Sequence, residues 1–187
     1  MTDQTPLPYL RGYAPELLAQ VRELIAAGRL AETVARRHPD AHDVRTERAL
    51  YDYASEIKSR YMRSAPPLAK VAYVPQMDVV ANALGTHTAA SRVQGNKLKA
   101  KREIRIAALF RDAPSDFLRM IVVHELAHLK EREHDRAFYA LCQHMEPAYH
   151  QYEFDLRLWL TAQKLVTPAT PRESHAPHST TARRCGT

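Results

Sequence analysis

Two histidines four residues apart, with a glutamate directly after the first, are the residues of this chain best suited to chemistry: His124-Glu125-Leu126-Ala127-His128. On an α-helix such a pair lies about 40° apart around the axis, so both imidazoles can reach one ion. Neutral imidazole is a good zinc ligand, and a pair already held by a helix loses little entropy on binding. Glu125 points about 100° from His124, beside such an ion, where a carboxylate can take a proton from bound water. Zinc lowers the pKa of that water towards about 7, which allows a nucleophile to form near neutral pH. The same carboxylate can then carry the proton to a leaving amine.

Two ligands hold zinc poorly, and His134 is the candidate for a third. It follows the expected end of the helix in Lys130-Glu131-Arg132-Glu133, and Asp135 directly after it suits the cap of another helix. Phe138, Leu141 and Met145 would pack that next helix inwards, leaving His134 at a helix-to-helix corner. Three histidines and a water make the open coordination of a catalytic site for one Zn2+. The group that would stabilise an oxyanion stays open: His144, Tyr149, His150 and Tyr152 all lie downstream, and spacing selects none of them.

Positioning these residues requires helices around the motif. Pro114 precedes a helical stretch that Ser115 or Asp116 could cap, running to about Glu131, with Leu118, Val122, Leu126 and Leu129 on one core-facing arc. A second helix is expected over Asp135 to Met145, and a third from Pro147 to about Ala162. Upstream, Val71, Tyr73, Val79 and Val80 fall in β-favouring runs, and His87 to Gln94 and Glu103 to Phe110 read as further strands. A basic turn at Gly95-Asn96 would separate the last two, and the block predicts a small antiparallel sheet. Ile104 and Ile106 alternate with Glu103 and Arg105. That last strand is a candidate to receive substrate backbone, or an ordinary core strand.

The first third of the chain is helical in pattern. Pro15 suits a first turn, Leu17, Leu18, Val21, Leu24 and Ile25 recur at helical spacing, and Gly28 is a stop. A short helix over Leu30 to Arg37 should end at His38-Pro39, since the position before proline disfavours helix. A third is expected over Asp43 to Arg63, with Tyr51, Tyr53 and Tyr61 as packing groups. The whole predicts an α+β chain: an extended arm over 1–13, a helical region over 14–65, the candidate catalytic domain over 66–163, and a disordered tail over 164–187.

The segment Ile121-Val122-Val123-His124-Glu125-Leu126-Ala127-His128-Leu129, followed by His134 and Phe138, resembles the YgjP-like and SprT-like zinc metallopeptidases. The resemblance covers roughly residues 67–163 and implies a zincin-type domain. It implies His124, His128 and His134 as metal ligands, Glu125 as the catalytic carboxylate, and a peptide or protein as substrate. The helical first third departs from the strand-rich start common in YgjP-like proteins. The metzincin pattern fits less well, because it carries glycine where this chain has Glu131.

Composition narrows the classes. No run of about 18 apolar residues exists, which excludes a spanning helix, and residues 1–10 lack the apolar block of a secretory signal, so the cytosol is expected. The two cysteines, Cys142 and Cys185, form neither a disulfide framework nor a zinc ribbon. The formal net charge is +6. Its excess is concentrated in the tail and around Lys97, Lys99, Lys101, Arg102 and Arg105, where a solvated strand face is favoured over a nucleic-acid contact. His38, His42 and His87 read as solvent or core-edge residues, and His175 and His178 as tail groups without function. The competing readings are a zinc-containing module that binds DNA or DNA-attached proteins, and a helical scaffold without metal.

Overall fold

The computed structural model of the chain describes residues 6–75 and 103–166. A 3-10 turn over Pro8–Leu10 leads to helices α1 (Pro15–Ala26), α2 (Leu30–Arg37) and α3 (Glu47–Tyr61). Strands β1 (Lys70–Val74) and β2 (Glu103–Ala107) come next, then a 3-10 turn over Ala108–Arg111. Helices α4 (Ser115–Ala127), α5 (Arg136–Met145) and α6 (Tyr149–Val166) complete the described chain.

Local chemistry accounts for most of the helix ends. After α1, Gly28 adopts φ 66°, and the amides of Gly28 and Arg29 bond back to the carbonyls of Ile25 and Leu24. This closes the helix with two bonds that a left-handed residue makes possible. Helix α2 stops at Arg37 with His38 as its cap, as the Pro39 rule requires. Thr46 caps α3 by accepting from the Ala49 amide at 3.1 Å. Asp135 caps α5, accepting from Ala137 at 2.9 Å and Phe138 at 3.0 Å. Helix α4 differs from expectation: Pro114 holds the cap position, and neither Ser115 nor Asp116 caps it. The Ser115 amide bonds instead to the Asp40 carbonyl at 2.8 Å, and the Asp116 carboxylate is engaged by His38.

The sheet corrects a second expectation. β1 and β2 pair in parallel, with Lys70 opposite Glu103 and Val74 opposite Ala107. A parallel pair needs a connection of about a dozen residues or more, and residues 75–102 leave that length. Successive strand-like runs predict a small antiparallel sheet, because alternation alone carries no strand direction. The expected strand His87 to Gln94 and the Gly95-Asn96 turn lie outside the described residues. On β2 the alternation holds, with Ile104 and Ile106 buried and Glu103 and Arg105 exposed. The strand ends at Ala107, earlier than Phe110, where the chain tightens into the 3-10 turn. The Phe110 carbonyl then accepts from the Nε2 side of His42 at 3.0 Å, and the Val44 amide donates to His42 Nδ1.

A single apolar cluster runs from Leu7 and Leu10 through Val34, Leu50 and Ile57 to the three C-terminal helices. Helix α4 lies at its centre, packed by α3, α5, α6 and β2. The wheel predicted one inward arc; in fact Met120, Ile121 and Val123 are fully buried along with Leu118, Val122 and Leu126. Leu129, placed on that arc, is only partly buried. Neighbours on every side remove the polar face that a surface helix would show. No helix among the described residues is long and apolar enough to cross a membrane.

Candidate metal centre

Helix α4 ends at Ala127, so His124 projects from its last turn and His128 stands at its cap. Turn bonds from Leu129, Lys130 and Glu131 back to Leu126 and Ala127 carry the chain to the corner before α5. His134 immediately precedes the Asp135 cap, and this corner turns it back towards α4. Nε2 of His124 lies 3.1 Å from Nε2 of His128 and 3.2 Å from Nε2 of His134. The ligand atoms of the three imidazoles all fall within 4.8 Å of one another. Metal–nitrogen bonds of about 2.0–2.1 Å in a tetrahedral centre set ligand nitrogens about 3.3 Å apart. The donor set fits a divalent ion.

Electrostatics favours the same occupant. Burial, first, and then the neighbouring His128 and His134 hold the His124 imidazole well below the ordinary histidine pKa. Burial lowers His134 as well, against the opposing pull of Glu153 and Glu133. Neutral imidazoles keep their lone pairs available to a cation. Phe138, fully buried, lies against all three rings at centroid separations of 5.0, 4.6 and 4.7 Å. This shared apolar floor restricts how the rings can rotate. Exposure is graded across the cluster: His124 is buried, His128 half-buried and His134 exposed, so the centre opens on the His134 side.

The outer nitrogens also have partners. Nδ1 of His128 lies 3.0 Å from the Glu131 carbonyl oxygen, which calls for a proton on that nitrogen and leaves the Nε2 lone pair available to a cation. Nδ1 of His124 lies 2.8 Å from the hydroxyl of Tyr149, the first residue of α6. The thiol of Cys142 on α5 interacts electrostatically with that hydroxyl. Burial pushes Cys142 up to about 12 and Tyr149 well above the usual tyrosine range, so both keep their protons.

The candidate site residues can now be placed; His87, the basic run Lys97 to Arg102, and His175, His178 and Cys185 lie outside the described residues. His124, His128 and His134 converge, and Glu125 is half-buried on the same helix turn. Of the four downstream candidates for oxyanion stabilisation, Tyr149 reaches the centre, but from behind His124. His144 packs edge-on against Tyr61, Tyr152 lies against His38, and His150 packs on Tyr139 and Tyr149. Sequence reasoning missed the Glu131 carbonyl, a backbone group without a sequence signature, and could not separate Tyr149 from its neighbours. It also left His38 as a core-edge residue, whereas two carboxylates flank its ring.

No solved structure matches the chain. A curated protein of Escherichia coli (strain K12), named UTP pyrophosphatase, is 60% identical over 159 residues, covering 85% of this chain and 95% of its own length. The model of the YgjP-like metallopeptidase domain matches residues 22–158, a span that includes both strands and the whole histidine cluster. With its triad of converging imidazoles at the end of α4, the chain belongs to the YgjP-like family.

Proposed function

We propose that this protein is a zinc-dependent hydrolase that cleaves UTP to UMP and pyrophosphate at the centre formed by His124, His128 and His134. The observation that carries this reading is the meeting of three imidazoles at a site open to solvent, in a chain 60% identical to a relative named UTP pyrophosphatase. The three Nε2 atoms would hold the ion. Bound zinc supplies Lewis acidity and makes water acidic enough to lose a proton near neutral pH. Glu125 is the general base: its carboxylate takes a proton from the attacking water. The water oxygen bonds to the α-phosphorus, the bridging oxygen to the β-phosphorus leaves with its electron pair, and the Glu125 proton passes to the departing pyrophosphate. The run Lys97, Lys99, Lys101 and Arg102 leading into β2 suits a polyanionic substrate.

Peptide hydrolysis is the second reading, favoured by the metallopeptidase description of the family and by β2 packing against α4. It uses the same ligands and base, and changes the electrophile to a carbonyl carbon and the leaving group to an amine. One assay set separates the two. Zinc-loaded protein is given UTP, the other nucleoside triphosphates and an unfolded protein, with pyrophosphate and new amino termini measured in parallel. Pyrophosphate release from UTP, lost in Glu125→Gln and His128→Ala, supports the proposal. Peptide cleavage with no pyrophosphate release replaces it by the peptidase reading, and neither product in metal-loaded protein removes both.

A further inference from the structure

Behind the cluster, Tyr149 is fully buried with its hydroxyl 2.8 Å from His124 Nδ1, and it interacts electrostatically with the thiol of Cys142, itself fully buried. Two hydrogen-bond directions are open to this chain of groups. In one, the thiol donates to Tyr149, whose O–H then donates to Nδ1 and forces the His124 proton onto Nε2, where it would oppose a cation. In the other, Nδ1–H donates to the Tyr149 oxygen and the Tyr149 O–H donates to the sulfur. Only the second leaves the Nε2 lone pair facing His128 and His134, 3.1 and 3.2 Å away. A phenol is a strong donor and a thiol a weak one, and sulfur can accept, so the second direction uses each group in its better role. Such outer partners set the tautomer and orientation of metal-binding histidines.

We propose that Tyr149, backed by the sulfur of Cys142, is the positioning residue of His124, accepting from Nδ1–H so that Nε2 is presented to the metal. His128 has a backbone carbonyl in the same place, so the two ligands of α4 are oriented by different kinds of group: one fixed by the chain, the other by a side chain of α6. This inference rests on the metal-centre reading above. It also assigns the buried thiol a role that neither a nucleophile nor a ligand would fill.

The test is the affinity for Zn2+ alone, measured by chelator competition on the full chain. Tyr149→Phe keeps the ring and removes the hydroxyl, and is expected to bind zinc about 10–100-fold more weakly with an unchanged circular dichroism spectrum. Cys142→Ser keeps an acceptor and should stay near wild type, whereas Cys142→Ala, which lets the phenol turn back to Nδ1, should lose several-fold. Filling of space alone would not separate those two. Nitrogen NMR of the zinc-loaded wild type should find His124 protonated at Nδ1. Equal zinc affinity in wild type and Tyr149→Phe, or a proton on Nε2 of His124, overturns the proposal. If Tyr149→Phe does not fold, the two Cys142 variants and the NMR decide. A wild-type chain that binds no zinc sinks the metal-centre reading instead.

Discussion

Nε2 of His38 lies 3.0 Å from Oδ2 of Asp155, a contact between residues 117 positions apart that ties the cap of α2 to α6. The other ring nitrogen lies 2.8 Å from Asp116 at the start of α4, and Asp155 also accepts from Arg37 and Gln151. The side chains of His38 and Asp155 are almost wholly buried. Removing the ring takes a hydrogen-bond partner from Asp155, which keeps Arg37 and Gln151, and another from Asp116; a hydrogen bond to a charged group contributes about 1.5–3 kcal/mol. His38→Ala is therefore expected to lower unfolding free energy by about 3 kcal/mol while zinc binding persists below the new transition. Urea denaturation measures it; a loss under about 1 kcal/mol would show that the network contributes little.

The roles on α4 separate by substitution. Glu125→Gln should retain zinc and lose about 10²–10⁴ in turnover, the range associated with a positioned general base. His128→Ala should lose the metal together with the activity. Metal analysis beside single-turnover kinetics tests both, and full turnover in Glu125→Gln would exclude the assigned base.

Asp135 joins stability to the centre because it caps α5 directly after His134. Asp135→Ala should cost about 1 kcal/mol, the usual worth of such a cap. It should also weaken zinc binding, because the corner that turns His134 inwards frays. Unchanged metal affinity at reduced stability would mean that the corner is held by packing on Phe138.

Metal removal should be visible as stability. A ligand present at about a thousand times its dissociation constant stabilises the folded state by about 4 kcal/mol. Chelation should therefore lower the melting temperature, and zinc should restore it. A melting temperature indifferent to both would contradict a resident ion.

Alkaline conditions probe the thiol behind His124. Burial pushes Cys142 up to about 12 from an ordinary 9, so the folded state keeps a proton that the unfolded chain gives up. Its contribution is fully present below pH 9 and is lost as pH rises towards 12, with a slope of at most about 1.4 kcal/mol per unit. Denaturation between pH 8 and pH 10.5 should show a steeper decline for wild type than for Cys142→Ser. Parallel declines would argue that the thiol is solvated in the native state.

The sequence was most legible where one local rule acts alone. Pro39 ended α2 at Arg37, Gly28 closed α1, and Asp135 began α5, each through backbone chemistry confined to a few residues. The imidazole cluster was legible for the same reason: two of its members share a helix, and the third stands beside a cap. What depended on distant partners was not. Strand direction follows from the path between β1 and β2, which alternation cannot encode. Asp116 looked like a cap until His38 supplied a better partner. Tyr149 was one of four polar residues in a short stretch, and only the docking of α6 against α4 distinguishes it.

That docking has a consequence for how the protein is made. Helix α6 packs against the Pro8–Leu10 turn, α2, α4 and α5, so the last described element of the chain closes contacts with nearly the first. Contacts of such range delay folding, since the intervening chain must be ordered before they form. During synthesis the side of α4 that α6 covers stays bare until α6 has left the ribosome. A chain cut short before Tyr149 should accordingly be recovered as aggregate, however intact its three histidines.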